Sequence, residues 1–180
     1  MPSATRPEMA DTADQDQLRR RRVIGIAIVL VGLIADQASK LWILGNNVVT
    51  SGERLVITPF MDFVLVWNRG ISYGLFQQDS ATGRWTLLGI TVLAVLLLGR
   101  WMLKSHSTLA AVALGLVVGG AIGNGIDRFV HGAVVDFVHL HAFGHSWYVF
   151  NLADTWIVAG VALLLYDSLK SSHRDAAKDV

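Results

Sequence analysis

Residues 107–128 read Ser-Thr-Leu-Ala-Ala-Val-Ala-Leu-Gly-Leu-Val-Val-Gly-Gly-Ala-Ile-Gly-Asn-Gly-Ile-Asp-Arg. No charged side chain occurs before Asp127. A run of this kind is close to the roughly 20 residues that an α-helix needs to cross a bilayer core. Gly115, Gly119, Gly120, Gly123 and Gly125 sit inside it, and small residues let helix backbones approach closely in lipid. The stretch predicts a membrane span over 107–127 that packs tightly on its neighbours and ends in a polar group.

Three further apolar runs lie outward from it, at about 23–44, 85–103 and 152–169. The whole chain agrees: of 180 residues, 53% are apolar and 16% charged, against about 25% charged in an ordinary soluble domain. This excludes a typical cytosolic enzyme. Cysteine is absent, which excludes a disulfide scaffold, a thiolate nucleophile and a cysteine-ligated metal. A net charge of +1 gives no sign of a nucleic-acid partner, and none is expected. Residues 1–22 are polar and then basic, ending in Arg19–Arg22, and predict a disordered cytoplasmic tail. A cleaved signal peptide is the weaker reading, since the apolar run after Val23 has no clear small-residue cleavage site. Residues 23–169 form the membrane domain, and 170–180 a second cytoplasmic tail. The fold class is an all-α membrane protein of four spans.

Lys and Arg set the expected orientation. The N-terminal tail holds Arg6 and the four-arginine cluster, the 2–3 connection Arg100 and Lys104, and the C-terminal tail Lys170, Arg174 and Lys178. These segments should be cytoplasmic by the positive-inside rule. The other two connections carry structure of their own. Residues 55–68 are rich in β-branched and aromatic residues, with Pro59 as a break, and predict short strands. Residues 133–139 and 146–150 flank Ala142-Phe-Gly-His145 and predict a hairpin. Together they make a small periplasmic β-rich cap. Residues 70–79 predict an interfacial helix with Ile71, Leu75 and Phe76 towards lipid, and a lid over the site.

With these directions, Asp36 and Lys40 lie at the outer end of span one. Asn124, Asp127 and Arg128 lie at the outer end of span three, Asn151 and Asp154 at the start of span four, and Asp136 in the connection between them. Four carboxylates thus meet in one layer, although each charge is costly in a bilayer. Asp36 and Lys40 are four apart on one helix face. Arg128 is the expected ion-pair partner of Asp127. Asp136 and Asp154 have no local cation, so they form the natural titrating pair. Two close carboxylates share one proton; the ionised member activates water and the protonated one donates to a carbonyl. Asn151 and Asp154 read equally well as a helix cap. His131, His139, His141 and His145 suggest a metal, but without His-Glu-x-x-His or cysteine no metal is expected. A proton-coupled transporter would use the same carboxylates, yet it needs ionisable groups through the bilayer depth. A scaffold would tolerate Asp→Asn at both positions.

Five segments carry a family resemblance: Asp36-Gln-Ala-Ser-Lys40, Asn68-Arg-Gly70, Gly119-Gly-Ala-Ile-Gly-Asn-Gly-Ile-Asp-Arg128, Val134-Val-Asp-Phe137 and Phe150-Asn-Leu-Ala-Asp154. In this order the chain resembles lipoprotein signal peptidase (signal peptidase II), a bacterial intramembrane aspartic endopeptidase. The resemblance implies removal of the signal peptide from diacylglyceryl-modified prolipoproteins, cut just before the lipidated cysteine, in the inner membrane. It implies Asp136 and Asp154 as catalytic residues. It gives Asp36, Lys40, Asn68, Gly70, Asn124, Asp127, Arg128 and Asn151 substrate-binding or supporting roles. No cofactor is implied; the partners are the prolipoprotein and membrane lipid, and a monomer is expected. Ile71, Tyr73 and Gly125 depart from the family's usual residues.

Overall fold

The computed structural model describes residues 6–70 and 81–176 of the chain. Helices α1 (Arg6–Leu44), α3 (Ala81–Leu103), α4 (Thr108–His131) and α5 (Leu152–Ala176) form the bundle. Each contains a stretch long and apolar enough to cross a membrane. The short helix α2 (Asn47–Thr50) follows α1, and the strands are β1 (Leu55–Thr58), β2 (Met61–Asn68), β3 (Val134–Ala142) and β4 (His145–Ser146). The expected interfacial helix over 70–79, together with Ile71 and Tyr73, lies outside the described residues beyond Gly70.

Helix α4 is the buried member. Its neighbours α1, α3 and α5 all pack on it and turn most of their surface outward. The cause is side-chain size. A Cβ added at Gly120 would meet the Ala153 carbonyl oxygen at 2.5 Å, and one at Gly115 the Gly25 carbonyl oxygen at 2.8 Å. These glycines therefore set the α4–α5 and α1–α4 spacing. At Gly125 a Cβ would meet Thr91 Cγ2 at 3.3 Å, so a larger apolar residue there would crowd α3. Large residues such as Leu30, Leu93, Leu97 and Leu165 face outward. Exposed Trp42, Trp85 and Trp147 lie at the sheet end of the bundle and Trp101 and Tyr166 at the other, as aromatic belts require.

One tail departs from expectation. Residues 1–22 are predicted to be disordered, but α1 already starts at Arg6. Pro7 is tolerated in a first turn, and no further proline or glycine interrupts the chain before Gly25. The polar segment thus extends the spanning helix, with Arg21 donating to Gln17 one turn back at 2.9 Å. Arg22 Nε also caps α3, donating to the Leu103 carbonyl at 2.7 Å. At the other terminus α5 runs past 169 to Ala176.

The sheet is antiparallel in the order β1-β2-β3-β4. Gly132, at φ +77°, ends α4 in the left-handed conformation and donates to Arg128 O, so the chain turns directly into β3. Phe143 (φ +51°) and Gly144 (φ +78°) form the two-residue turn into β4, a hairpin turn that needs positive φ at both positions. Phe150 exchanges backbone hydrogen bonds with Val138 at 2.8 and 3.1 Å, which ties the start of α5 to β3. Ile43, Val49, Val135 and Phe137 form a small buried core between α1, α2 and the sheet.

Gly120→Ala should destabilise the bundle by about 1–3 kcal/mol, the usual cost of overpacking. Gly89→Ala, with nothing within 4 Å, should be neutral or mildly stabilising. Thermal unfolding in detergent compares them, and equal midpoints would show that α4 and α5 are not in close contact.

Candidate active site

The site grows from the sheet end of α4. Asn124 and Asp127 lie three residues apart on one helix face and both reach Lys40 of α1. Lys40 Nζ donates to Asn124 Oδ1 at 3.0 Å and pairs with Asp36 Oδ2 at 2.9 Å and Asp127 Oδ2 at 2.7 Å. The expected Asp36–Lys40 pair is present. The expected Asp127–Arg128 pair is not. Adjacent helix residues point in different directions, so Asp127 turns to Lys40 and accepts the Val135 N–H at 3.1 Å. Arg128 instead donates to the carbonyl oxygens of Gly70 at 2.9 Å and Asn124 at 3.4 Å. Asp36 also accepts the Ala153 N–H at 3.0 Å, a free amide in the first turn of α5.

Asn124 passes this order to Asp136 and Asp154. Lys40 can only donate, so it takes the carbonyl oxygen of Asn124 and leaves the amide nitrogen for Asp154 Oδ1 at 2.9 Å. Asn151 spends both amide protons, on Asn124 Oδ1 at 3.0 Å and Asp136 Oδ1 at 2.7 Å. Asn68 Nδ2 donates to Asp136 Oδ2 at 2.9 Å, while its Oδ1 accepts the Gly70 N–H at 3.0 Å. Asn151 and Asp154 also form a reciprocal cap: Asp154 N donates to Asn151 Oδ1 at 3.0 Å and Asn151 N to Asp154 Oδ2 at 3.2 Å. The capping and site roles of this pair coexist.

The structure therefore brings together all ten residues singled out in the sequence. It adds Gln37, whose Nε2 donates to Asp36 Oδ2 at 3.1 Å, Asp127 Oδ1 at 3.2 Å and Gly123 O at 3.3 Å. Its only sequence signal was its place inside the Asp36–Lys40 segment.

Asp136 is 2% exposed. Burial, and then the neighbouring charge of Asp154, push its carboxyl up to about 7, against the opposing hydrogen bonds from Asn68 and Asn151. Asp136 and Asp154 together line a cavity of about 480 Å³ that continues past Thr155, Val158, Ala159 and Ala162 along α5. Its other wall is Trp147–Phe150. A polar pair thus heads an apolar groove. Among the described buried polar residues, Ser105 alone lies at the opposite end of the bundle, while the middle of α4 is apolar through Leu114, Val117 and Val118. Among the described residues no ionisable path crosses the bundle core.

The sequence model of the family described as signal peptidase (SPase) II matches residues 28–170. The chain belongs to the signal peptidase II family. It is 53% identical over 156 residues to the lipoprotein signal peptidase of Methylorubrum extorquens (strain PA1), covering 87% of this chain and 91% of that one. It is 56% identical over 148 residues to that of Nitrobacter hamburgensis, covering 80% and 90%. A bacterial membrane enzyme solved in meso at 2.3 Å resolution superposes with a TM-score of 0.72 at 28% identity, over 82% of this chain and 88% of that one. A second, at 1.9 Å, gives 0.70 at 30% identity, over 81% and 92%. Signal peptidase II membership and four spanning-length helices make the chain a multi-pass membrane protein.

Lys40→Met should leave Asp36 and Asp127 buried and unpaired, a loss of about 3–5 kcal/mol for a broken buried pair. The thermal midpoint in detergent reads it; an unchanged midpoint would mean that water already solvates this cluster.

Proposed function

We propose that Asp136 and Asp154 are the catalytic dyad of an intramembrane aspartic endopeptidase that cuts diacylglyceryl-modified prolipoproteins immediately before the lipidated cysteine. The observation that carries this is the pair of carboxylates bridged through Asn151 and Asn124 at the head of an apolar groove. Family membership supports the substrate class.

The pair shares one proton. Each carboxylate accepts two N–H donors, so the hydrogen bonds do not separate them; the burial of Asp136 favours placing the proton there. Asp154 takes a proton from water, and the water oxygen bonds to the scissile carbonyl carbon. Asp136 gives its proton to the carbonyl oxygen. Collapse of the tetrahedral species breaks the C–N bond as a proton returns from the dyad to the leaving nitrogen. The products are a carboxylate on the signal peptide and an amine on the lipidated cysteine. The remaining residues position this pair: Asn68, Asn124 and Asn151 orient the carboxylates. Asp36, Lys40 and Asp127 hold α1, α4 and the start of α5, and Arg128 holds Gly70. The donors named here all come from one chain, which supports a monomer as the active unit.

Orientation follows from charge. Arg19–Arg22, Arg100, Lys104 and Lys170 gather at the end opposite the sheet, which supports cytoplasmic termini and a dyad near the periplasmic face of the inner membrane.

In a gel-shift assay with diacylglyceryl-prolipoprotein, folded Asp136→Asn and Asp154→Asn should each lose at least about 100-fold in rate, a usual loss for a general acid or base. Wild-type rates for either variant would reject the dyad. Activity should fall as pH rises through about 7, because the proton on Asp136 is lost there. Stability has the same sign. The raised carboxyl favours the fold most fully below its ordinary value of 3.8 and loses that contribution as pH approaches 7, and Asp136→Asn should flatten the decline in a pH series of unfolding midpoints.

Topology has its own test, because the chain lacks cysteine. In intact cells an impermeant maleimide should label Phe143→Cys and spare His106→Cys; the opposite pattern would invert the protein.

A further inference from the structure

A second polar cluster lies in the cap, on the same two strands as Asn68 and Asp136. Asp62 of β2 stands opposite His139 of β3 in the strand register, and His141 follows two residues on. One ligand atom from each lies within 4.8 Å of the others. Asp62 is 4% exposed and His139 8%. His141 Nε2 is 3.0 Å and His139 Nδ1 3.7 Å from the same oxygen, Asp62 Oδ2. Yet both nitrogens are buried without a hydrogen-bond partner, although such groups are normally satisfied because leaving them bare is costly.

A simple ion pair accounts poorly for this. One protonated imidazole would suffice for one carboxylate, whereas two lie beside it, with ring centroids 5.3 Å apart. Arg54 already offers a cation at 3.8 Å, on a side chain that is 66% exposed. Two neutral imidazoles and a carboxylate are instead the donor set of a late first-row divalent ion. Ligands bound to one zinc at about 2.0–2.2 Å lie roughly 3.4 Å apart at the tetrahedral angle. The two observed separations from the carboxylate oxygen, 3.0 and 3.7 Å, bracket that figure. The His141 side chain is one-third exposed, which leaves a way in from solvent and a fourth position for water.

We propose that Asp62, His139 and His141 bind one divalent ion of the zinc class, as a staple between β2 and β3. His139 lines the same 340 Å³ cavity as Asp136 and Asn68, so the staple steadies the strands that carry one half of the dyad. This departs from the absence of a metal expected from the sequence, where only the histidine spacing was visible and Asp62 was far away along the chain.

The test uses the full chain in detergent, freed of any affinity tag and treated with chelator, then titrated with zinc chloride by calorimetry. The expected result is one ion per chain and a raised unfolding midpoint. Affinity should fall at least tenfold in Asp62→Asn and in His141→Gln and stay unchanged in His145→Gln, whose exposed side chain lies outside the cluster. Absence of stoichiometric binding would overturn the proposal, as would binding that survives both cluster variants or is lost equally in His145→Gln. If the cluster variants do not fold, cobalt(II) added to wild type decides. Intense visible absorption of a four-coordinate site supports the staple, and the weak spectrum of the hydrated ion refutes it.

Discussion

A single buried ammonium organises the site. Lys40 Nζ has three protons and meets Asp36, Asp127 and Asn124 at 2.7–3.0 Å. Its donor capacity matches those three acceptors, and each contact has a distinct consequence. Asp36 reaches on to the first turn of α5, and Asp127 to the backbone of β3. Asn124 is turned so that its amide nitrogen faces Asp154. Elements distant in the chain are thereby brought together around one charge. In a low-dielectric setting such a network is costly if any member is missing, which gives it geometric authority over the two carboxylates that depend on it.

Around this centre the bundle is packed inside out. Lipid offers apolar side chains as good an environment as a protein core, so helix association rests on close van der Waals contact and interhelical hydrogen bonds. Helix α4 fits that demand with Ala110, Ala111, Ala113, Gly115, Gly119, Gly120 and Gly123 on its buried surface, while leucines and valines of α3 and α5 face outward. The close approach also serves the chemistry. Gly123 leaves the space that the Asp36 carboxylate occupies, and Gly120 that of the Ala153 carbonyl. Larger residues at these points would part α4 from α1 and α5 and pull the polar network open.

Local relations were legible in the sequence. Asp36 and Lys40 on one helix face, Asn151 and Asp154 as a cap, the break at Pro59 and the turn at Phe143-Gly144 all depend on spacings of a few residues, where backbone geometry leaves few choices. Relations across elements were harder to read. Arg128 stood beside Asp127, but the helix sends them different ways, and the true partner came from α1. Gln37 gained its role only when α1 met α4, and Asp62 met the histidines only through the register of β2 with β3. The disordered tail was expected from polarity alone. Composition does not reveal that an existing helix lowers the cost of adding further turns, since propagation is easier than nucleation.

The groove beside Asp136 and Asp154 is formed on one side by α5, where Val158 is 69% exposed on the surface turned to the bilayer. The site thus opens sideways as well as towards the cap. For a molecule dissolved in the membrane, the concentration that governs occupancy is its mole fraction among lipids, not its amount per volume of water. Diluting the bilayer with inert lipid or detergent should weaken an amphiphilic competitor even when the total aqueous amounts of competitor and enzyme stay constant. Potencies of such compounds are comparable only at a fixed ratio of lipid to protein.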